Sequence, residues 1–127
     1  MNTESFMAKI EQLATAANRD TVLRRIGRHC RADVLLMADD AGVYLRIDEG
    51  EITQLDPAPA HLRSVSFEIS ASLSTWDAFW GVTPPPGYHD IFAMARFGHA
   101  KINGDLSPLL EHLGFFKRLL WLPRRVG

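Results

Sequence analysis

Residues 64–72, SVSFEISAS, alternate without a break: Val65, Phe67, Ile69 and Ala71 on one side, Ser64, Ser66, Glu68 and Ser70 on the other. A period of two cannot be wound into a helix. It describes a strand with one apolar and one polar side. The run VYLRID (43–48) repeats the pattern, with Val43, Leu45 and Ile47 opposed to Tyr44, Arg46 and Asp48. A chain with such strands must build a sheet with one dry face and find something else to cover it.

The neighbouring segments complete that sheet. ADVLLMADD (32–40) is an apolar run too short for a typical helix, and DDAG (39–42) supplies turn residues, so it pairs with VYLRID as an antiparallel hairpin. EGE (49–51) is a second turn, ITQL a third short strand, and DPAPA (56–60) a break. HAKIN (99–103) reads as the last strand, with Ala100 and Ile102 inward.

Helices supply the cover. Phe6, Ile10, Leu13 and Ala17 mark one stripe of a helix from Thr3 to Ala17. Asp20 is placed to cap a second helix in TVLRRIGRHC, with Val22, Ile26 and Cys30 on one side and Leu23 beside them. STWDAFWG (74–81) is a short aromatic helix capped by Ser72 or Ser74. HDIFAMARF (89–97) is another, capped by Asp90 and ended by Gly98. A closing helix follows GD (104–105), capped by Asp105 or by Ser107 with Pro108 at the first helical position, and stopped by Pro123. The order is that of an α+β two-layer fold, one domain over 1–127 with its core at about 20–122.

A chain of 127 residues, 46% hydrophobic and 23% charged, supports one globular core. Its net charge of −1 gives no general field for nucleic acid. Cys30, the only cysteine, excludes an internal disulfide and a cysteine-based zinc site. No stretch reads as a signal peptide or a transmembrane span, which fits a cytoplasmic protein.

Leu73, Trp76, Phe79 and Trp80 fall on one third of the helix circumference, and Phe92, Met94 and Phe97 add large groups soon afterward. These rings either fill the core or wall a cavity for an apolar guest. On the closing helix, Leu106, Leu109, Leu113, Phe116 and Leu120 form a core stripe. Phe115, Leu119 and Leu122 form a second stripe, with Trp121 adding area and Lys117, Arg118, Arg124 and Arg125 around it. If exposed, this stripe is a contact for an anionic membrane surface, a homodimer or a partner protein; otherwise the tail folds back on its own domain.

Catalytic signals are sparse. Tyr88, His89 and Asp90 adjoin in a loop, where His89 is a candidate base and Asp90 a candidate orienting acid or simply a helix cap. His99 and His112 have no metal-ligand spacing, and no nucleophile elbow, phosphate loop or cofactor motif occurs.

SVSFEISAS, the aromatic helix after it, and ARFGHAKINGDLSPLLEHL together resemble the lipid-binding domain of sterol carrier protein type 2. The likeness centres on Gly98, Ile102, Gly104 and Asp105 directly before a helix, and VYLRIDEGEITQL fits the family's first half. It covers about residues 30–120. TPPPGYHD (83–90) is longer than the family's usual connection, and the chain ends RRVG without a peroxisomal tripeptide. The resemblance implies a five-stranded, mostly antiparallel sheet with helices on one face and an apolar tunnel between. It implies non-catalytic binding or carriage of a fatty acid, acyl-CoA, sterol or phospholipid, without cofactor or metal. The side chains it assigns to the tunnel are Phe67, Trp76, Phe79, Trp80, Phe92, Phe97, Leu109, Leu113 and Phe116. Arg96, Lys101, Lys117 and Arg118 are candidates for a head group at the mouth. The alternatives are a small cavity enzyme using Tyr88, His89 and Asp90, or an accessory subunit docking through the closing helix.

Overall fold

A computed structural model describes residues 1–58 and 64–126. Strands β1 (Arg31–Ala38), β2 (Ala41–Asp48), β3 (Glu51–Ala58), β4 (Phe67–Ala71) and β5 (Ala100–Gly104) form one sheet in the order β3-β2-β1-β4-β5. All pairings are antiparallel except β1 with β4. The meander therefore stops at β3. The chain returns past β1, and the fold gains a parallel pair that adjacent strand signals could not show.

The register aligns the apolar sets. Leu36 lies opposite Val43 on one side and Ile69 on the other, while Val34 lies between Leu45 and Phe67. Ile69 in turn faces Ile102. A one-residue slip would turn each set to the wrong face. Between Arg46 and Ile47 the β2–β3 ladder shifts, so that Ile47 meets Ile52 while Leu45 meets Leu55 and Thr53 is the extra residue. The β2–β3 turn is Glu49-Gly50, both at positive φ (53° and 80°), as a two-residue hairpin of this handedness demands. β3 runs on through Asp56, Pro57 and Ala58, where DPAPA predicted a break. It is an edge strand, where a missing ladder N–H is tolerated. The remainder of that motif, Pro59 and Ala60, lies outside the described residues.

Helix α1 (Thr3–Arg19) buries Phe6, Ile10, Leu13 and Ala17 as the spacing predicts. Its cap is Asn2, which accepts from Ser5 N while the Ser5 hydroxyl accepts from Asn2 N. In α2 (Thr21–Ile26) Asp20 is the N-cap, accepting from Leu23 N at 3.0 Å. The rest of that expectation needs correction. The helix ends at Ile26, Leu23 is the buried residue, and Val22 and Ile26 are 40% and 44% exposed. Cys30 is buried, but beyond the helix, and burial pushes its thiol up to about 11.

Ser72 caps α3 (Leu73–Phe79) and Asp90 caps α4 (Ile91–Arg96). Gly98 follows α4 at φ 79°. Gly104, at φ 109°, has no room for a side chain: a Cβ would lie 2.7 Å from the Ser66 carbonyl. Asp105 then donates its N–H to that carbonyl and accepts Ser107 N at 3.0 Å.

The closing segment is two helices, α5 (Ser107–Glu111) and α6 (Leu113–Val126), not one. Pro123 does not stop α6. It sits in the last turn, where little helix remains to be disrupted. Both apolar stripes of α6 are buried from Phe115 onward. Phe116 and Leu120 belong to the core under the helices, whereas Phe115, Leu119 and Leu122 are 1–4% exposed because α1 and α2 lie over α6. Phe115 occupies the space over Gly27, where any Cβ would lie 2.2 Å from its ring. These three residues therefore offer no membrane, dimer or partner contact. Leu113, assigned to the core stripe, is 36% exposed.

Candidate functional site: an aromatic layer and the groove beside it

The rings of α3 join one layer with α1. Trp76 and Trp80 are 5.0 Å apart, Phe6 lies 5.9 Å from Trp80 and 6.0 Å from Trp76, and Phe79 stands edge-on to Trp76. Each indole N–H has a backbone partner: Trp76 Nε1 donates to the Met37 carbonyl (2.9 Å) and Trp80 Nε1 to the Leu120 carbonyl (2.8 Å). A buried indole without a partner would be costly, so these bonds fix the rings against β1 and α6. Phe67 and Phe116 form a separate edge-to-face pair in the same core, with centroids 5.2 Å apart.

The nine side chains expected to line a tunnel divide. Phe67, Trp76, Phe79, Trp80, Leu109 and Phe116 lie together in the core. Phe92 is half-buried and carries the Lys117 ammonium 5.6 Å from its ring centroid. Phe97, 62% exposed, and Leu113 are not enclosed.

A groove of about 480 Å³ opens beside this layer. Its apolar lining is Phe79 from α3, Ile91 from α4, Val22 and Ile26 from α2, and Trp121 from α6. Along α6, Gly114, Lys117, Arg118 and Trp121 recur at helical spacing on the face turned away from the core. Sequence reading missed Val22 and Ile26 here, since a six-residue helix is too short for periodicity to choose between Leu23 and its neighbours. Gly114 gave no signal either, although its absent side chain leaves the wall open: a Cβ there meets nothing within 4 Å.

Two arginines frame the groove. Arg118 makes a bidentate pair with Asp20 (2.9 and 3.3 Å), whose carboxyl is held below its ordinary range chiefly by that hydrogen bond. Arg124 has no acid as its partner in these contacts. It donates to the Phe79 carbonyl and, at 3.4 Å, to the His89 carbonyl, and its guanidinium lies 5.0 Å from the Phe79 ring centroid. Partial burial lowers its pKa, but a guanidinium stays charged. Of the head-group candidates, Lys117 and Arg118 line this groove; Arg96 and Lys101 do not appear in its lining.

Tyr88, His89 and Asp90 do not assemble as a catalytic set. The Tyr88 hydroxyl pairs with His99 Nδ1 at 3.3 Å, with their rings stacked 4.4 Å apart. Asp90 Oδ1 accepts Ala93 N, and His89 is exposed. Among the described residues no three His, Cys, Asp or Glu side chains group to hold a metal, and no helix is long and apolar enough to cross a membrane.

No family model and no curated protein matches the sequence. The architecture does match. The chain is similar to a crystal structure of sterol carrier protein 2, with a TM-score of 0.75 and 15% identity over 94% of this chain and 96% of that one. It is similar to a conserved protein of Thermus thermophilus described as possibly a sterol carrier protein, with a TM-score of 0.67 and 16% identity over 94% and 87%. The UbiJ-SCP2 ubiquinone synthesis protein matches with a TM-score of 0.60 and 18% identity over 98% and 97%. The fold is that of sterol carrier protein 2.

Proposed function

We propose that this chain binds or carries the apolar chain of a lipid between its helices and its sheet and performs no chemistry on it. The observation that carries this reading is the position of Phe79, which belongs both to the open groove and to the aromatic layer. An apolar guest entering the groove meets that layer first. The fold shared with sterol carrier proteins supports the same reading. Phe67, Trp76, Trp80, Leu109 and Phe116 form the inner wall, with the two indoles held by their carbonyl bonds. Phe92, Phe97 and Leu113, less enclosed, are the outer residues of the proposed site.

Each methylene removed from water contributes about 0.8 kcal/mol, so a long acyl chain binds usefully without a specific polar contact. Fatty acids, acyl-CoA esters, sterols and phospholipids all fit this requirement. Neighbouring chain lengths are poorly distinguished.

Native mass spectrometry of the freshly purified protein, with identification of extracted lipid, tests the proposal. The expected result is a co-purifying lipid, or a change in tryptophan emission when a fatty acid or acyl-CoA is added. A clean apo mass with no change in emission overturns it.

A further inference from the structure

The groove opens on a face that brings exposed aliphatic side chains and cations together. Val22 and Ile26 are one turn apart on α2 and are among the exposed large aliphatic side chains. Trp121 stands half-buried across the groove. Around them lie Lys117 and Arg124, with Arg25 beside Ile26 on the same short helix. The carboxylates placed at the groove are Asp90, in its lining, and Asp20, against Arg118. Asp20 is taken by Arg118, and Asp90 caps α4. Six of the chain's thirteen other acids lie in the hairpins, at Asp39, Asp40, Asp48, Glu49, Glu51 and Asp56. A chain of net charge −1 thus presents a cationic, apolar patch at one place.

We propose that the α2–α6 face docks on an anionic lipid bilayer, with Val22 and Ile26 entering the interfacial region, Trp121 at head-group level, and Lys117, Arg124 and Arg25 against phosphates. Small aliphatics, an indole and cations are the combination that an anionic interface accepts. Charge decides between this partner and a second copy of the chain. A two-fold contact through this face would set cations against cations with no free carboxylate to answer them. The docking surface rests on the proposed lipid binding only for its purpose, since it puts the groove's opening against a lipid source.

Vesicle flotation of the full chain tests this, using phosphatidylcholine vesicles with and without phosphatidylglycerol. The chain is expected to float with the phosphatidylglycerol vesicles, to be released by high salt, and not to float with phosphatidylcholine alone. Val22→Glu with Ile26→Glu should lower the bound fraction at least about tenfold, and Lys117→Gln about fivefold. Unchanged melting temperatures would show that these exposed substitutions leave the fold intact. Failure to float, equal flotation with neutral vesicles, or undiminished flotation of the double variant overturns the proposal. So does a dimer that the double variant dissociates. The native mass of the same samples separates the two proposals: a lipid-loaded chain that does not float refutes docking alone, and a floating chain that carries no lipid refutes carriage alone.

Discussion

The three tryptophans occupy two different worlds. Trp76 and Trp80 sit in a closed layer, with rings in contact and both N–H groups held by backbone carbonyls of other elements. Trp121 stands on the outward face of α6, on a groove with aliphatic walls and a basic rim. The first pair is dense and satisfied, a wall. The second region is an open groove with charged side chains in its lining. Ring content alone does not mark a binding site. What separates the two is whether the chain's own elements, here α1 and α6, already complete the surroundings.

That contrast can be broken by substitution. Trp76→Ala leaves a cavity and removes the indole bond to the Met37 carbonyl, and chemical unfolding should register a loss of about 3–5 kcal/mol. A loss below about 1 kcal/mol would mean that the layer is loosely packed and available to a guest. Gly27→Ala, on the closed side, drives a Cβ into the Phe115 ring and should cost about 1–3 kcal/mol by the same measurement.

Asp20 joins the two regions, because it caps α2 and holds Arg118 at the groove. Asp20→Ala should cost about 1–2 kcal/mol, and Asp20→Asn less because the cap survives. The hydrogen bond from Arg118 depresses the Asp20 carboxyl below its ordinary 3.8. The folded value is thus lower than the unfolded one. The wild-type contribution is complete above the unfolded value and is lost as pH falls through the folded value. Unfolding curves between neutral and strongly acidic pH should show this contribution in the wild type and its absence in Asp20→Asn. Gly114→Ala, on the open side, meets nothing and favours the helix, so it should stabilise by up to about 1 kcal/mol. Opposite signs at Gly27 and Gly114 would confirm the contrast in one experiment.

Much of the fold was legible in local pattern. The α1 stripe and the caps Asp20 and Asp90 stand as read, and Ser72 is the cap of the two serines offered. The strand read over 64–72 forms over 67–71, and the alternation of 43–48 holds except that Tyr44 is buried. So does the Gly104-Asp105 turn before α5, where steric exclusion by Ser66 gives glycine its reason. The groove was not legible. It depends on α2 ending at Ile26, which exposes Val22 and Ile26, and on α1 and α2 covering Phe115, Leu119 and Leu122.

By itself the sequence determined which residues alternate, which can cap and which can turn, because these are properties of adjacent residues and their backbone. It therefore determined a one-faced sheet covered by helices. Only the tertiary structure decided that β1 pairs in parallel with β4, that Phe115, Leu119 and Leu122 are inside together with Phe116 and Leu120, and that Trp76 and Trp80 are enclosed while Trp121 lines a groove. Each of these depends on contacts between segments far apart in the chain. A helical stripe records that a side chain is apolar, and not which neighbour will cover it.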